Sequence, residues 1–151
     1  TDIYVYPRLR FKSKKQERYY YKLVRDVKKT LPLAKEINRA VIETYEYLQT
    51  LPNDKARTRH IKMVEKGLKE QYTPRMKKLT FAQGKLLIKL VNRECNQSSY
   101  QLVKAFMGPF KAGFYQAFAA LFGASLKKEY HPDDEDKMIE RIVTLVENGQ
   151  L

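Results

Sequence analysis

The residues best suited to chemistry in this chain of 151 residues are lysines and arginines spaced three or four positions apart. They form two sets: Arg18, Lys22, Arg25 and Lys29, followed by Lys55, Arg59, Lys62, Lys66 and Lys69. Because residues three or four apart share one face of a helix, each set predicts a basic stripe along a helix. Such a stripe attracts phosphates, anionic glycans or acidic lipid headgroups, or it is simply a solvated face.

The two stripes are expected to act together. If their helices pack side by side, the stripes merge into one positive surface that also includes part of the amino-terminal segment. The side chains added there are Arg8, Arg10 and Lys12, with Tyr4, Tyr6 and Tyr19 close by. We therefore predict that the nine stripe residues bind an anionic polymer, a lipid surface or an acidic protein.

The overall charge favours an anionic partner. The chain has 30 Lys and Arg against 17 Asp and Glu, and residues 1–80 hold 21 of these cations but only 9 of the acids. No zinc-finger, helix-turn-helix or aromatic RNA-binding pattern accompanies the charge, so nucleic acid is not the expected partner. The hydrophobic fraction of 43% supplies one buried core and argues against a disordered chain.

A second group consists of polar residues within or beside the most apolar stretches of the chain: Gln83, Arg93, Glu94, Tyr115 and Gln116. A polar group in a core costs roughly 1–3 kcal/mol if it lacks a hydrogen-bond partner. We therefore expect a network centred on Arg93 and Glu94 that fixes the packing of the helices. The alternative is a polar pocket near Arg93, Glu94 and Tyr115, which would suit a hydrolase-like enzyme.

The other candidate residues do not assemble into a catalytic or metal site. The acidic run at residues 131–136 lacks the glycine and the layout of an EF-hand loop, and it suits the start of a helix. Gly84-Lys85 lacks the other residues of a phosphate-binding loop. His60 and Cys95 have no evident base or orienting partner. We therefore assign no catalytic residue, no metal and no cofactor.

The hydrophobic pattern predicts an all-α fold: a bundle of six to seven helices around two apolar helices, with a short extended amino-terminal arm. The whole chain, residues 1–151, is expected to form a single domain, with the arm at residues 1–12 and the bundle at residues 13–151. Ser13, Asn53 and Thr80 are placed to cap helices. Pro32 either ends or kinks the first helix or opens the next one. The last helix is expected to begin after Pro132.

The arm is predicted from the alternation of apolar and polar residues between Ile3 and Phe11. No other segment alternates over a comparable length. The arm therefore lies along the helices, pairs with a second copy of the chain in a homo-oligomer, or pairs with residues upstream of Thr1. The longest weakly charged run, residues 105–126, is interrupted by Lys111 and by a Gly-Pro pair, so we expect no transmembrane segment.

Several segments in a fixed order carry a family resemblance: residues 21–29, 79–90, 93–94, 115–117, 121–123 and 136–140. Together they resemble a family of small Bacteroidetes proteins catalogued only as a domain of unknown function, over nearly the whole chain. Where this chain has Cys95, Tyr115 and His131, the family pattern has Thr, Trp and Asp. These departures argue further against catalytic roles for Cys95 and His131.

The resemblance also carries an expectation about location. Members of the family usually begin with an export signal, which fits a chain that starts with Thr1 rather than Met and implies a periplasmic or envelope location. The resemblance implies no activity, no cofactor and no site residue. We therefore expect an envelope-associated module that binds an anionic or protein partner through its basic helix faces and that, in view of its residues, is not an enzyme.

Overall fold

The computed structural model of the chain describes residues 3–96, 130, 132–133 and 136–151. Within these residues all the regular secondary structure is helical, with no strand and four helices: α1 (Lys14–Leu48), α2 (Asp54–Met76), α3 (Phe81–Asn96) and α4 (Lys137–Glu147). The all-α prediction is confirmed, whereas the count of six to seven helices is not supported. Residues 97–129, in which further helices of that count would fall, lie outside the described residues.

Two of the three outcomes predicted for Pro32 are wrong, because this residue neither ends α1 nor opens a new helix. The helix runs through it without interruption for 35 residues. A proline inside a helix leaves the carbonyl four residues earlier without its usual donor. Pro32 is exposed to solvent, so water can bind that carbonyl, while Leu31, Leu33 and Ala34 remain buried on the other side. Burial of both halves against one core thus outweighs the local cost of the proline.

The predicted helix caps are confirmed. The Ser13 hydroxyl accepts a hydrogen bond from the Gln16 amide at 3.2 Å, and the Asn53 side chain accepts one from the Ala56 amide at 2.9 Å. Thr80 and Gln83 bond each other reciprocally, amide to side chain, at 3.1 and 3.2 Å. These bonds satisfy amide groups that the first turn of a helix leaves without partners.

Among the described residues, the core is built chiefly from α1 and α3. The buried face of α1 includes Val27, Ala34, Ile37 and Val41, each with no exposed surface. In α3, the residues from Leu86 to Glu94 are buried except for the half-buried Lys89, which agrees with the prediction of a central apolar helix. Phe81 lies at the solvent-exposed start of α3, with 44% of its surface exposed.

Contacts with α1 show the directions of α2 and α3 relative to it. Asp26 accepts a hydrogen bond from Gln83, and Lys35 pairs with Glu94, so α3 runs parallel to α1. The second helix runs the opposite way, because Tyr47 packs on His60 and Glu36 pairs with Arg75. The chain reverses at residues 49–53, so α2 lies against only the carboxyl-terminal half of α1.

The amino-terminal arm lies along helices of its own chain, the first of the three arrangements that the sequence allowed. Phe11 packs against the core with its ring 5.5 Å from that of Tyr20. At the other end of the arm, the Tyr4 backbone amide donates to the side chain of Gln150 at 3.0 Å, and its carbonyl accepts from the same side chain at 2.9 Å. These contacts fix the arm without a strand.

Candidate functional site

The amino-terminal basic surface consists of the stripe on α1 and the basic residues of the neighbouring arm, all of them exposed: Arg8, Arg10, Lys12, Arg18, Lys22, Arg25 and Lys29. The stripe is opposite the buried side chains of Val24 and Val27, as the helical period requires. Two exposed tyrosines flank it, Tyr19 at 66% and Tyr21 at 55% of their surface. The surface therefore combines positive charge with accessible aromatic rings.

The α2 basic surface consists of the second stripe, and its five side chains are also exposed: Lys55, Arg59, Lys62, Lys66 and Lys69. The opposite side of α2 packs inward through Leu68, Tyr72 and Met76. Exposed acids share this helix with the cations, namely Asp54 and Glu70. The positive charge here is therefore more diluted than on the amino-terminal basic surface.

The two surfaces do not merge, contrary to the sequence prediction. Tyr47 packs on His60 near the start of α2, so the second stripe is centred beside the last third of α1, whereas the first stripe is centred near Lys22. A helix rises by about 1.5 Å per residue, so the centres of the two stripes are roughly 30 Å apart along α1. Tyr6 is not at the stripe either, because its ring lies 5.0 Å from the Arg141 guanidinium.

Ion pairing separates the cations of the described residues into two groups. Five are paired with carboxylates: Lys35, Arg57, Arg75, Lys89 and Arg93. None of the nine stripe cations forms a salt bridge with a carboxylate in the part of the chain that the structure describes. The internal pairs thus occupy several of the acids, and the charge of the stripes is left facing solvent.

Arg93 lies at the centre of a buried charge network between α3 and α4. Only 3% of its surface is exposed, and its guanidinium donates to Glu94 at 2.8 Å, to Glu140 at 2.8 Å and to Glu147 at 3.0 Å. Lys35 of α1 adds a second cation, 2.5 Å from Glu147 and 3.3 Å from Glu94. The network therefore joins three helices through charge-assisted hydrogen bonds.

The buried Tyr130 belongs to the same network. Its hydroxyl donates to Glu140 at 2.6 Å. Burial and this hydrogen bond raise the pKa of Tyr130 well above its ordinary value, so the phenol stays protonated. Burial opposes the charge of Arg93, but the carboxylates of Glu140 and Glu147 outweigh that effect and raise its pKa. The arginine is therefore a permanent cation with no acid or base role.

The pKa of Glu147 is lowered, because hydrogen bonds from Lys35 and Arg93 and their charges outweigh the opposing effect of burial. A lowered pKa means that the folded state binds the proton less readily than the unfolded state. The contribution of Glu147 to stability is therefore fully present above its ordinary pKa of 4.5 and is lost as the pH falls through the folded-state value.

A Glu147→Gln variant should reveal this dependence. We expect the variant to be less stable than the parent protein at pH 7, and we expect the difference to shrink as the pH falls below about 4.5, near the ordinary value for a glutamate. Urea unfolding at a series of pH values measures both proteins. A difference that stays constant from pH 7 to pH 3 would show that the Glu147 charge does not stabilise the fold.

The sequence-derived polar group is only partly brought together. Arg93 and Glu94 contact each other directly, but Gln83 lies elsewhere, where its side-chain amide donates to Asp26 at 2.9 Å. Tyr115 and Gln116 lie outside the described residues. The sequence reasoning missed Lys35, Glu140 and Glu147 as partners of the network. The seven-residue spacing of the two glutamates, two turns apart on one face of an apolar helix, was the available signal.

The acidic run before α4 does not form the expected helix start. The helix begins at Lys137 rather than directly after Pro132, and the Asp136 side chain makes no capping bond because it binds Lys89 instead. His131 lies outside the described residues, as does the side chain of Cys95, and His60 packs its ring on Tyr47. Within the described ranges, no cluster of His, Cys, Asp or Glu could hold a metal ion.

Comparison with protein families gives one match. The family model described as Domain of unknown function (DUF4294) matches residues 1–145. The chain belongs to this family. No curated protein and no solved structure matches it. Membership of DUF4294 thus confirms the predicted family catalogued only as a domain of unknown function, and the family description names no activity. None of the helices in the described portion of this DUF4294 member is long and apolar enough to cross a membrane.

Proposed function

We propose that this DUF4294 member is a non-enzymatic binding module that docks on an anionic partner, with the amino-terminal basic surface as its main contact. One observation carries the proposal: the cations of this surface are exposed and form no salt bridge with a described carboxylate, whereas Lys35, Lys89 and Arg93 beside the core are paired. We also propose an envelope location, which the resemblance to exported proteins supports.

The charge density of the amino-terminal basic surface supports this role. Residues 8–29 include ten Lys and Arg but only two acids, Glu17 and Asp26. Asp26 is 9% exposed and accepts a hydrogen bond from Gln83, so Glu17 is the one acid of this segment on the surface. A polyanion that contacts several of these cations releases its counterions, which makes binding favourable and dependent on salt.

The bonding of Arg93 supports a binding role over a catalytic one. A hydrolase-like site at Arg93 and Glu94 requires water and substrate to reach these side chains. Arg93 is 3% exposed, Glu94 is 9% exposed, and the guanidinium is already bonded to three carboxylates. Because Arg93 and its carboxylate partners already bond one another, they stabilise helix packing and leave no nitrogen of the guanidinium free for a substrate.

Charge reversal tests the docking role. We expect the double variant Arg18→Glu/Arg25→Glu to bind heparin and anionic vesicles at least about tenfold more weakly than the parent protein, because each reversal removes a cation and adds a repelling charge. Binding by the parent protein should also weaken by about tenfold or more between 50 and 200 mM salt, as expected for several phosphate-type contacts. Isothermal titration and vesicle co-sedimentation measure both effects.

The matched control is Lys77→Glu/Lys78→Glu, which changes the net charge equally at two exposed positions just beyond α2. We expect this control to retain most of the affinity, since it leaves the amino-terminal basic surface intact. Equal losses in the two double variants would mean that net charge alone determines binding. No binding by the parent protein to either probe at 20 mM salt would refute the docking role.

A further inference from the structure

A cleft of about 290 Å³ lies beside the amino-terminal basic surface, between α1, α3 and α4. Its lining includes Tyr19, Lys22 and Asp26 from α1, Ala82, Lys85 and Lys89 from α3, and Asp136 and Ile139 at the start of α4. Three of these residues are lysines contributed by two helices. The cleft is therefore a concave region at the edge of the basic stripe, and lysines from α1 and α3 line it together.

The charges of the cleft are not balanced among its own side chains. Lys89 is paired with Asp136, which neutralises both. Asp26 is largely buried and is bonded to the neutral amide of Gln83. Lys22 and Lys85 form no salt bridge with any carboxylate of the described residues, although the Lys85 ammonium lies 5.4 Å from the centre of the Phe81 ring. The charges of Lys22 and Lys85 exceed that of the largely buried Asp26, so the cleft has a net positive charge.

The helix ends at the cleft add to this positive potential. Ala82 and Ile139 both lie in the first turn of their helices, where the backbone dipoles sum to a partial positive charge. The Asp136 side chain makes no capping hydrogen bond to the first turn of α4, because its carboxylate binds Lys89. Anions bind well where backbone amides at the start of a helix and nearby cations point to the same space.

We infer that this cleft binds a phosphate group of the anionic partner, with Lys22 and Lys85 as its two charged contacts. The inference rests on the proposed function, since it names the chemical group that the docking surface recognises. A phosphate mono- or diester carries one to two negative charges, which matches the excess of lysines over the shielded Asp26. The cleft is large enough for this group with part of its ester substituent, but not for a folded domain.

Amide chemical shifts of the isotope-labelled full chain test the inference, with glycerol 3-phosphate as the probe and sodium chloride at equal ionic strength as the reference. We expect saturable shifts at Ala82, Lys85 and Ile139, with a dissociation constant in the millimolar range. Lys85→Gln should weaken this binding at least fivefold. The matched control, Arg39→Gln, removes one positive charge at an exposed position of α1 outside both basic surfaces and outside the cleft, and it should leave the dissociation constant within twofold of the parent value.

Shifts that chloride reproduces, or a dissociation constant that Lys85→Gln leaves unchanged, would overturn the inference. The second arm of the experiment uses vesicles that contain phosphatidylglycerol. Slower hydrogen exchange of the same amides in the presence of these vesicles identifies a lipid headgroup as the source of the phosphate. The phosphate site and the docking role can be refuted by different results. Heparin binding that persists without a cleft response would refute the phosphate site alone, whereas a cleft response without heparin or vesicle binding would refute the broader docking surface.

Discussion

Replacing Arg93 by methionine is expected to lower the free energy of unfolding by about 3–5 kcal/mol, the usual cost of removing one partner from a buried ion pair. The guanidinium is bonded to Glu94, Glu140 and Glu147, and only 4% of its side chain is exposed. Without it, three carboxylates face one another with Lys35 as the nearest remaining cation. Methionine keeps the apolar volume of the side chain, so the loss reports mainly on charge.

Urea unfolding of the Arg93→Met variant at pH 7 measures this effect. The matched control is Arg75→Met, which removes an arginine paired at 2.8 Å with Glu36 on the surface, where the arginine side chain is 45% exposed. Exposed ion pairs contribute about 0–1 kcal/mol, so the control should be close to the parent protein. Similar losses in the two variants would contradict the view that burial of Arg93 makes its network important.

Replacing Ile37 by alanine is the second change with a large expected effect. Ile37 has no exposed surface and lies in the core cluster on the buried face of α1. Truncation of a fully buried isoleucine leaves a cavity and removes apolar contacts, which together lower the free energy of unfolding by about 2–5 kcal/mol. Because α1 contributes to the packing of every other described helix, we expect the whole fold to lose stability as one unit.

Calorimetry and urea unfolding test the Ile37→Ala variant. The matched control is Met63→Ala, an apolar truncation on α2 at a position that is 63% exposed. This control should change the free energy of unfolding by less than about 0.5 kcal/mol, the range usual for surface substitutions. A loss below 1 kcal/mol at Ile37 would indicate that the core relaxes around the missing atoms or that α1 packs less tightly than its burial suggests.

Local signals in the sequence were sufficient for the helix caps and the buried faces. Ser13, Asn53 and Thr80 each carry a side chain that bonds an amide three residues later, an interaction within one turn. The spacing of apolar residues by three and four likewise predicts one buried face on α1, and Val24, Val27, Ile37 and Val41 lie on that face. Both signals depend on residues close in sequence, which is why no knowledge of the tertiary fold was needed.

Features that depend on distant residues were harder to predict. Continuity through Pro32 depends on burial of both halves of α1 against α3, which the local pattern does not contain. Arg93 was correctly singled out as a polar residue on an apolar helix, but its main partners are 47 and 54 residues away. The prediction that the two basic stripes merge was wrong because it also depends on distant residues. Contacts such as that of Arg75 with Glu36 set the position of α2 along α1.

The uninterrupted length of α1 has a consequence for avidity. The helix is about 50 Å long, and it holds the amino-terminal basic surface and the α2 basic surface at a nearly fixed spacing. A short oligomer can engage one of them at a time. A chain or sheet of charges that extends beyond roughly 30 Å can engage both, and the second contact then forms at a high effective concentration. In this way the rigidity of a single helix sets a threshold of ligand length.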